Sequence, residues 1–400
     1  MFELKPILST LWHHKVSALL IALQLALTLV IVSNTLLIVT DRMDKMARPT
    51  GMAVEDIIVA DFLAIPQDYD MAAAVRADLD MLRALPNVVD ATPSNKAPLS
   101  SSGSASTYHT QPNQETGGVN ANYYRTDPHF INALGLTLVA GRNFTPAEMQ
   151  IYAPGEHLEV HVAIITRQLA EKLFPSEDAL GKSLYDDDSP MEIIGIVERH
   201  LGAWVGWSNA GNVAFFPAVR TGQGMDYLVR AETGKRDAVL KILADKLAER
   251  DPERVIRVKT LSNHKARSYA RDNIMVKVLS TVGAMLAFIV ALGIVGLTSF
   301  WINQRTKQIG VRRALGATRA NISRYFLVEN SLIAVTGIAL GAAAALIANQ
   351  YLVRDYSQPV LTLLPLGICA LVILLVSLGA ALAPALRAAN ISPATATRSV

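Results

Sequence analysis

The chain has 400 residues, of which 51% are hydrophobic and 18% charged, and its formal net charge is +3. The apolar share exceeds that of an ordinary soluble domain, and so small a charge points neither to nucleic acid nor to a strongly basic surface. Cys369 is the one cysteine and lies inside an apolar run, so the rest of the chain must fold without disulfides.

The apolar excess is concentrated in four runs, each meeting the roughly 20 residues that a helix needs to cross a ~30 Å hydrocarbon core. A leading segment, 1–17, carries Lys5 and Lys15. The first run, 18–40, is uncharged and rich in Leu, Ile and Val. It outlasts the 7–15-residue apolar region of a cleaved signal. Asp41-Arg-Met-Asp-Lys45 follows it instead of a small-residue cleavage site, so an uncleaved first span is expected.

Residues 41–272 form a long polar connection with mixed patterning. Asp56-Ile-Ile-Val-Ala60 reads as a buried strand, and Met71, Val75, Leu79 and Leu82 give residues 69–85 helical spacing. Pro86-Asn87 ends that helix. Residues 100–118, rich in Ser, Thr, Gln and Gly, read as a long loop or mobile flap. A helix with Asp127 as its N-cap is expected over 127–134. Strand patterns follow at 161–165 and 192–197, with a helical stretch at 167–174 between them. Late in the segment, 227–231 alternates as a strand, 235–249 is helical, and 255–258 returns as a strand. This β-α-β order predicts an α+β module split by a second module inserted at about 90–220. Residues 262–272 are expected to enter the second span as one helix, and with residues 41–47 to make a helical stalk.

The remaining spans are 273–302, 325–348 and 361–383, with a loop at 303–324, a short connection at 349–360 and a tail at 384–400. The loop holds Arg305, Lys307, Arg312, Arg313 and Arg319 and no acidic residue. With Lys5, Lys15, Arg387 and Arg398 it places both termini and the loop in the cytoplasm and 41–272 outside, because clustered Lys and Arg resist translocation. Ile309, Val311 and Leu315 suggest a short amphipathic helix with a partly apolar face. A basic helix of this kind, presented by two spans, suits docking of a soluble partner.

Other features carry bland readings. Gly181-Lys182-Ser183 lacks the glycine that a phosphate loop places five residues earlier, where Ser176 stands. No stretch supplies such a loop, so any ATPase is expected on another polypeptide. His13, His14, His109, His129, His157, His161, His200 and His264 show no metal-ligand spacing, and Asp186-Asp-Asp188 reads as a solvated hairpin tip. Gly337, Gly341 and Gly379 read as close helix packing, within the bundle or at a dimer face. Gln24, Asn34 and Glu329 should face protein and not lipid.

Three stretches carry a resemblance. Lys307-Gln-Ile-Gly-Val-Arg-Arg-Ala-Leu-Gly-Ala-Thr-Arg319 is similar to the cytoplasmic signature of the MacB/FtsX-type permeases of ABC transporters, with Gln308 where Glu is usual. Pro384-Ala-Leu-Arg-Ala-Ala-Asn-Ile-Ser-Pro393 resembles the family's tail, although Ala394-Thr-Ala-Thr-Arg398 departs from its usual end. Outside the membrane, residues 134–144, 162–175, 179–182 and 193–197 resemble the MacB periplasmic core in order and spacing, with Thr166 where Asn is common.

The resemblance implies an α-helical membrane protein with four transmembrane helices and a large α+β periplasmic domain inserted between helices 1 and 2. It implies a non-catalytic permease subunit of the bacterial inner membrane, with no cofactor of its own. ATP and Mg²⁺ would be held by a separate ABC ATPase subunit docking on Lys307, Gln308, Ile309, Gly310, Arg312, Arg313, Ala314, Leu315 and Gly316. A second permease chain, identical or related, would complete a dimer. A periplasmic adaptor and an outer-membrane channel are further candidate partners beside membrane lipid, and nucleic acid is not one. Mechanotransmission driving export or periplasmic extrusion of a small molecule, peptide or lipoprotein is the first functional expectation. The alternatives are an FtsX-like regulator that activates a periplasmic cell-wall hydrolase, and a membrane-tethered sensor without an ATPase.

Overall fold

In the computed structural model, residues 15–390 are described, apart from 66–69, 154, 157, 221, 223 and 357. Lys5, His13, His14, His157 and the tail from Ile391 therefore lie outside the described residues. The chain divides into two compact units, one of residues 1–44 with 272–400 and one of residues 45–271.

Four helices in the first unit have the length and composition to cross a membrane. They are α1 (Lys15–Ala47), α7 (Ala270–Gln304), α9 (Arg319–Tyr356) and α10 (Leu363–Ala389), and a short α8 (Thr306–Ala314) precedes α9. Their core is aliphatic: Ile21, Leu25 and Leu29 of α1 meet Val290 and Ile294 of α7, Ile333 and Ala345 of α9, and Cys369 and Ile373 of α10. The buried polar groups here include three amides with side-chain partners, Asn34, Asn330 and Asn349. Asn349 donates to Asn34 Oδ1 at 3.1 Å and its own Oδ1 accepts from Leu361 N at 2.8 Å, while Asn330 donates to Ser377 Oγ at 3.0 Å. Without such partners each amide would carry its full desolvation cost in an apolar medium. Gln24 is half-buried and donates to the Ile289 carbonyl at 3.3 Å.

The second unit contains two sheets. The smaller is built from β1 (Ile57–Ala64), β2 (Val88–Ser94), β11 (Gly224–Ala231) and β12 (Arg254–Thr260), in the order β12-β1-β11-β2. Each neighbouring pair is antiparallel. Helices α2 (Met71–Ala84) and α5 (Arg236–Arg250) make the β1-α2-β2 and β11-α5-β12 crossovers, so the sheet is two interlocked split βαβ units. Ile58, Ala60 and Phe62 of β1 pack with Val75, Leu79, Leu82, Leu243 and Leu247 on one face. Ile57 and Val59 point the other way, into a core with Tyr124, Phe130 and Phe215. Burial on both faces explains why β1 reads as a continuous apolar run, without alternation.

The larger sheet is built wholly from residues between β2 and β11. Its strands are β3 (Ala105–Tyr108), β4 (Val119–Thr126), β5 (Leu138–Gly141), β6 (Gln150–Tyr152), β7 (Val162–Thr166), β8 (Ser183–Asp186), β9 (Ser189–Val197) and β10 (Val213–Arg220). The main order is β3-β4-β10-β7-β9-β5, with β6 on β10 and β8 on β9. Helices α3 (Phe130–Leu134) and α4 (Arg167–Leu173) complete the module.

Three expectations need correction. Residues 100–118 are not simply a loop, because β3 pairs with β4 there and His109 bridges to Tyr185. The Ser268 hydroxyl also ties the stretch down by donating to the Leu99 carbonyl at 2.6 Å. The N-cap of α3 is His129 and not Asp127, whose carboxylate instead accepts from the His129 amide at 3.0 Å and from Arg83 at 2.5 Å. Finally, residues 262–304 are not one helix. Between α6 (Leu261–Ser268) and α7, Tyr269 leaves helical geometry, and its hydroxyl donates to the Lys45 carbonyl at 2.9 Å.

Candidate functional site

The chain leaves α7 at Gln304, and Arg305 breaks the helix with φ −104° and ψ 12°. The next nine residues form α8. Gly316 ends it in the left-handed region, at φ +98°, where a side chain would be strained. The closing bonds, from Gly316 N to Arg313 O and from Ala317 N to Arg312 O, satisfy carbonyls that the helix end leaves open. Thr318 Oγ1 then accepts from Asn321 N at 3.2 Å at the start of α9.

Four contacts clamp α8 to the ends of its neighbours. Arg305, buried, donates through Nη1 to both carboxylate oxygens of Glu329, each at 3.0 Å. Ile309 is buried among Ile302, Ile322, Phe326, Ala385 and Ala388. Arg313 donates to the Ala389 carbonyl at 2.7 Å, a placement that also sets a cation against the negative end of α10. The Arg312 guanidinium lies 4.8 Å from the centroid of the Tyr325 ring.

What α8 leaves exposed is Lys307, Gln308, Val311, Arg312, Ala314 and, just past its end, Leu315, the last 83% exposed. Gly310 is buried. The expectation that Ile309, Val311 and Leu315 share an apolar face is therefore corrected: at about 100° per residue, Ile309 turns into the bundle while Val311 and Leu315 turn away. Glu329 was expected to face protein; its partner, Arg305, lies 24 residues away, and no pattern within either segment announces the pairing. Tyr325 was missed for the same reason.

The three glycines behave differently. A Cβ on Gly337 would stand 2.6 Å from the Ala22 carbonyl oxygen, and one on Gly341 would stand 2.8 Å from Ala26 Cα, so α9 lies backbone-close to α1. Nothing lies within 4 Å of the corresponding point at Gly379, so that glycine serves no close approach among the described residues.

The second unit offers no cluster of His, Cys, Asp and Glu that could hold a metal ion among the described residues. Gly181-Lys182-Ser183 runs into a strand, not a helix, and Lys182 pairs with Glu177, so these residues do not fit a nucleotide phosphate. Asp187 and Asp188 form the turn between β8 and β9. Two buried groups are strongly shifted. Burial between Tyr124 and Phe215 lowers the His200 pKa to about 3. Burial, with help from the Asp61 charge, raises that of Asp226 to about 6, against Lys96, the Ala97 amide and Arg257. Near the surface, Arg142 holds the Glu148 carboxyl down at about 2.

Comparison with known proteins places this geometry. A model described as "MacB-like periplasmic core domain" matches residues 18–246, and one described as "FtsX-like permease C-terminal" matches residues 280–393. The macrolide export ATP-binding/permease protein MacB of Neisseria gonorrhoeae is 25% identical over 280 residues, covering 66% of this chain and 40% of that protein. The protein of the same name from Bartonella henselae is 26% identical over 289 residues, covering 70% and 41%. The chain thus spans about two fifths of the length of these relatives. Among solved structures, the periplasmic region of MacB from Actinobacillus actinomycetemcomitans is similar with a TM-score of 0.36 at 14% identity, over 54% of this chain and 94% of that one. With one model matching more than half of its length and a second matching the helices that follow, the chain belongs to the MacB/FtsX family of ABC-transporter permeases, as a multi-pass inner-membrane protein with an α+β periplasmic domain.

Proposed function

We propose that this chain is the permease subunit of a MacB-type ABC transporter, and that it couples ATP hydrolysis on a separate ATPase subunit to movement of its periplasmic domain. The observation that carries the reading is the clamped α8. Its outward side chains, Lys307, Gln308, Val311, Ala314 and Leu315, are available to a soluble partner, while Arg305, Ile309, Arg312 and Arg313 fasten it to α9 and α10. A displacement of α8 would therefore move two spans with it, because a packed and ion-paired helix does not yield independently. The Arg and Lys bias puts α8 and both termini in the cytoplasm, where ATP is available.

The same reading pairs the chain with a second permease chain and directs the work to export or periplasmic extrusion of a small molecule, peptide or lipoprotein. A periplasmic adaptor and an outer-membrane channel would extend that path.

Leu315→Asp tests the docking surface with little risk to the fold, since Leu315 is exposed. The tagged chain is solubilised gently from its host, and co-purifying proteins are identified by mass spectrometry. The wild type should retain a nucleotide-binding subunit, and Leu315→Asp combined with Arg312→Glu should lose it while still inserting in the membrane. Equal recovery from both would refute docking at α8. A cell-wall hydrolase in place of an adaptor would redirect the proposal from transport to regulation.

A further inference from the structure

A cavity of about 360 Å³ lies where the two sheets of the second unit meet, bounded by the end of β2, the start of β11, β4 and the end of β10. Three cations line it, Lys96, Arg125 and Arg220, and no carboxylate is among the lining residues. The neutral polar groups there already have partners. Asn95 donates to Ser104 Oγ at 3.3 Å and accepts from the Arg125 amide at 2.9 Å. Lys96 and Arg220 are exposed, and among the described residues neither side chain makes an ion pair or hydrogen bond. The Lys96 charge reaches Asp226, but that carboxylate accepts from the Ala97 amide at 2.6 Å and does not line the cavity. Arg125 is held differently. Its guanidinium lies 4.8 Å from the Tyr123 ring centroid and 5.6 Å from that of Tyr152, and Nη2 donates to the Tyr123 hydroxyl at 3.5 Å. It also lines a separate cavity that carries Asp186, Asp187 and Asp188, and it makes no ion pair with them. The charge offered to a ligand is therefore that of Lys96 and Arg220, beside an arginine fixed by aromatic rings. Arg125 and Arg220 face a common neighbour: burial pushes the Tyr152 hydroxyl pKa up, and both charges pull against it.

Like charges gathered in a concave site focus a positive potential, which an anion relieves. A lysine and an arginine together suit a doubly charged oxyanion, whereas a carboxylate's single charge would leave one of them unmatched. Inorganic phosphate would fill only part of a cavity whose volume is in the range of small-molecule sites. Pro93, Val219 and Met225 give the remainder an apolar wall. We infer that this cavity binds a small phosphate monoester, its phosphate on Lys96 and Arg220 and its carbon portion against Pro93, Val219 and Met225. The site belongs to the periplasmic domain and shares no residue with α8, so ligand binding there does not depend on ATPase docking.

The test is isothermal titration calorimetry of the full chain in detergent micelles, with glycerol 3-phosphate as the probe. The wild type should bind it more tightly than inorganic phosphate and should give no binding heat with glycerol. Each of Lys96→Gln and Arg220→Gln should weaken binding about tenfold, the lower end for one charge-assisted hydrogen bond. Both side chains are exposed, so neither change threatens the fold, and thermal unfolding of every variant is followed as a check. Arg220→Lys, which keeps the charge, should retain most of the affinity. Lys241→Gln removes an exposed charge from α5 outside the cavity and should bind as wild type. Absence of binding by the wild type would overturn the inference. So would an equal loss in Lys241→Gln, which would reduce the effect to general charge. Inorganic phosphate binding as tightly as the ester would assign the cavity to free phosphate, and succinate doing so would assign it to a dicarboxylate; either would overturn it likewise.

Discussion

The periplasmic domain and the helical bundle both bury charge, but they do so under different rules. In the domain, the carboxylate of Asp78, on α2, is fully buried and surrounded by donors: Arg254, Arg250 at 2.9 Å and the Tyr227 hydroxyl at 2.8 Å. Arg254 in turn donates to the Leu247 carbonyl at 3.0 Å and lies against the Phe62 ring. In the bundle, Arg305 meets Glu329 at the α8 end of the spans, and the deeper polar groups are the uncharged Asn34, Asn349, Asn330 and Ser377. A domain surrounded by water can gather several charges around one site. A bundle surrounded by hydrocarbon keeps its ion pair near an interface and uses amides within, because an unmet charge there costs far more.

The largest expected effect comes from emptying the crowded site. Asp78→Ala leaves Arg254 buried without its carboxylate and should destabilise the periplasmic domain by about 3–5 kcal/mol, read from its urea midpoint. Pairing it with Arg254→Met should recover much of that loss; failure to recover would show that Asp78 acts through Tyr227 or Arg250 instead. Glu329→Ala should cost the bundle a similar amount, about 3 kcal/mol. Its distinguishing readout is local: proteolysis between α7 and α9 should accelerate as α8 loses its anchor.

Next in size is packing. Gly341→Leu should cost about 1–3 kcal/mol by forcing α9 off α1, whereas Gly379→Leu should change the thermal stability of the monomeric chain by about 0.5 kcal/mol or less. If Gly379→Leu instead lowers recovery of a two-chain complex, that glycine belongs to the surface between permease chains.

The smallest net effect is expected over pH 4–6, where two pH-dependent contributions are opposite in sign. His200 has its folded pKa depressed below the unfolded value near 6.5, so the fold binds fewer protons. Stability should fall by up to about 1.4 kcal/mol per unit as pH drops below 6.5 toward 3. Asp226 has its folded pKa raised from 3.8 to about 6, so its contribution is present below 3.8 and lost as pH rises through 6. Over pH 4–6 the two oppose each other. His200→Phe should therefore expose a domain that stabilises on acidification, and Asp226→Asn one that stabilises on raising the pH. A flat profile in either variant would show that neighbouring groups carry the titration.

Much of this was legible in the chain. The four apolar runs announce the spans because bilayer thickness imposes a length, and a paired signature on each side of the membrane announces the family. Less legible was whatever depends on two distant segments meeting. Nothing near Arg305 points to Glu329, and the apolar trio in α8 divides between bundle and solvent although its composition suggests one face. Gly379 resembles Gly337 and Gly341 in sequence, yet only the latter two lie against another helix backbone. Ser and Thr at 100–118 read as loop, but β3 forms there because β4 offers it an edge. Asp127 sits where a cap would, and Arg83 together with the His129 amide draws its carboxylate into a different role.

The strand order of the smaller sheet also constrains biosynthesis. β1 emerges from the ribosome first among the strands of the domain, yet both its neighbours, β11 and β12, are the last to be made. Until then β1 has both edges bare, while the whole of the larger sheet can already pair. The nascent domain thus carries an unmatched hydrophobic strand for most of its passage across the membrane, the kind of segment that invites non-native pairing. Bacterial folding helpers on the far side would meet this protein at β1, and a chain released before residue 260 would leave its first strand without its last partner.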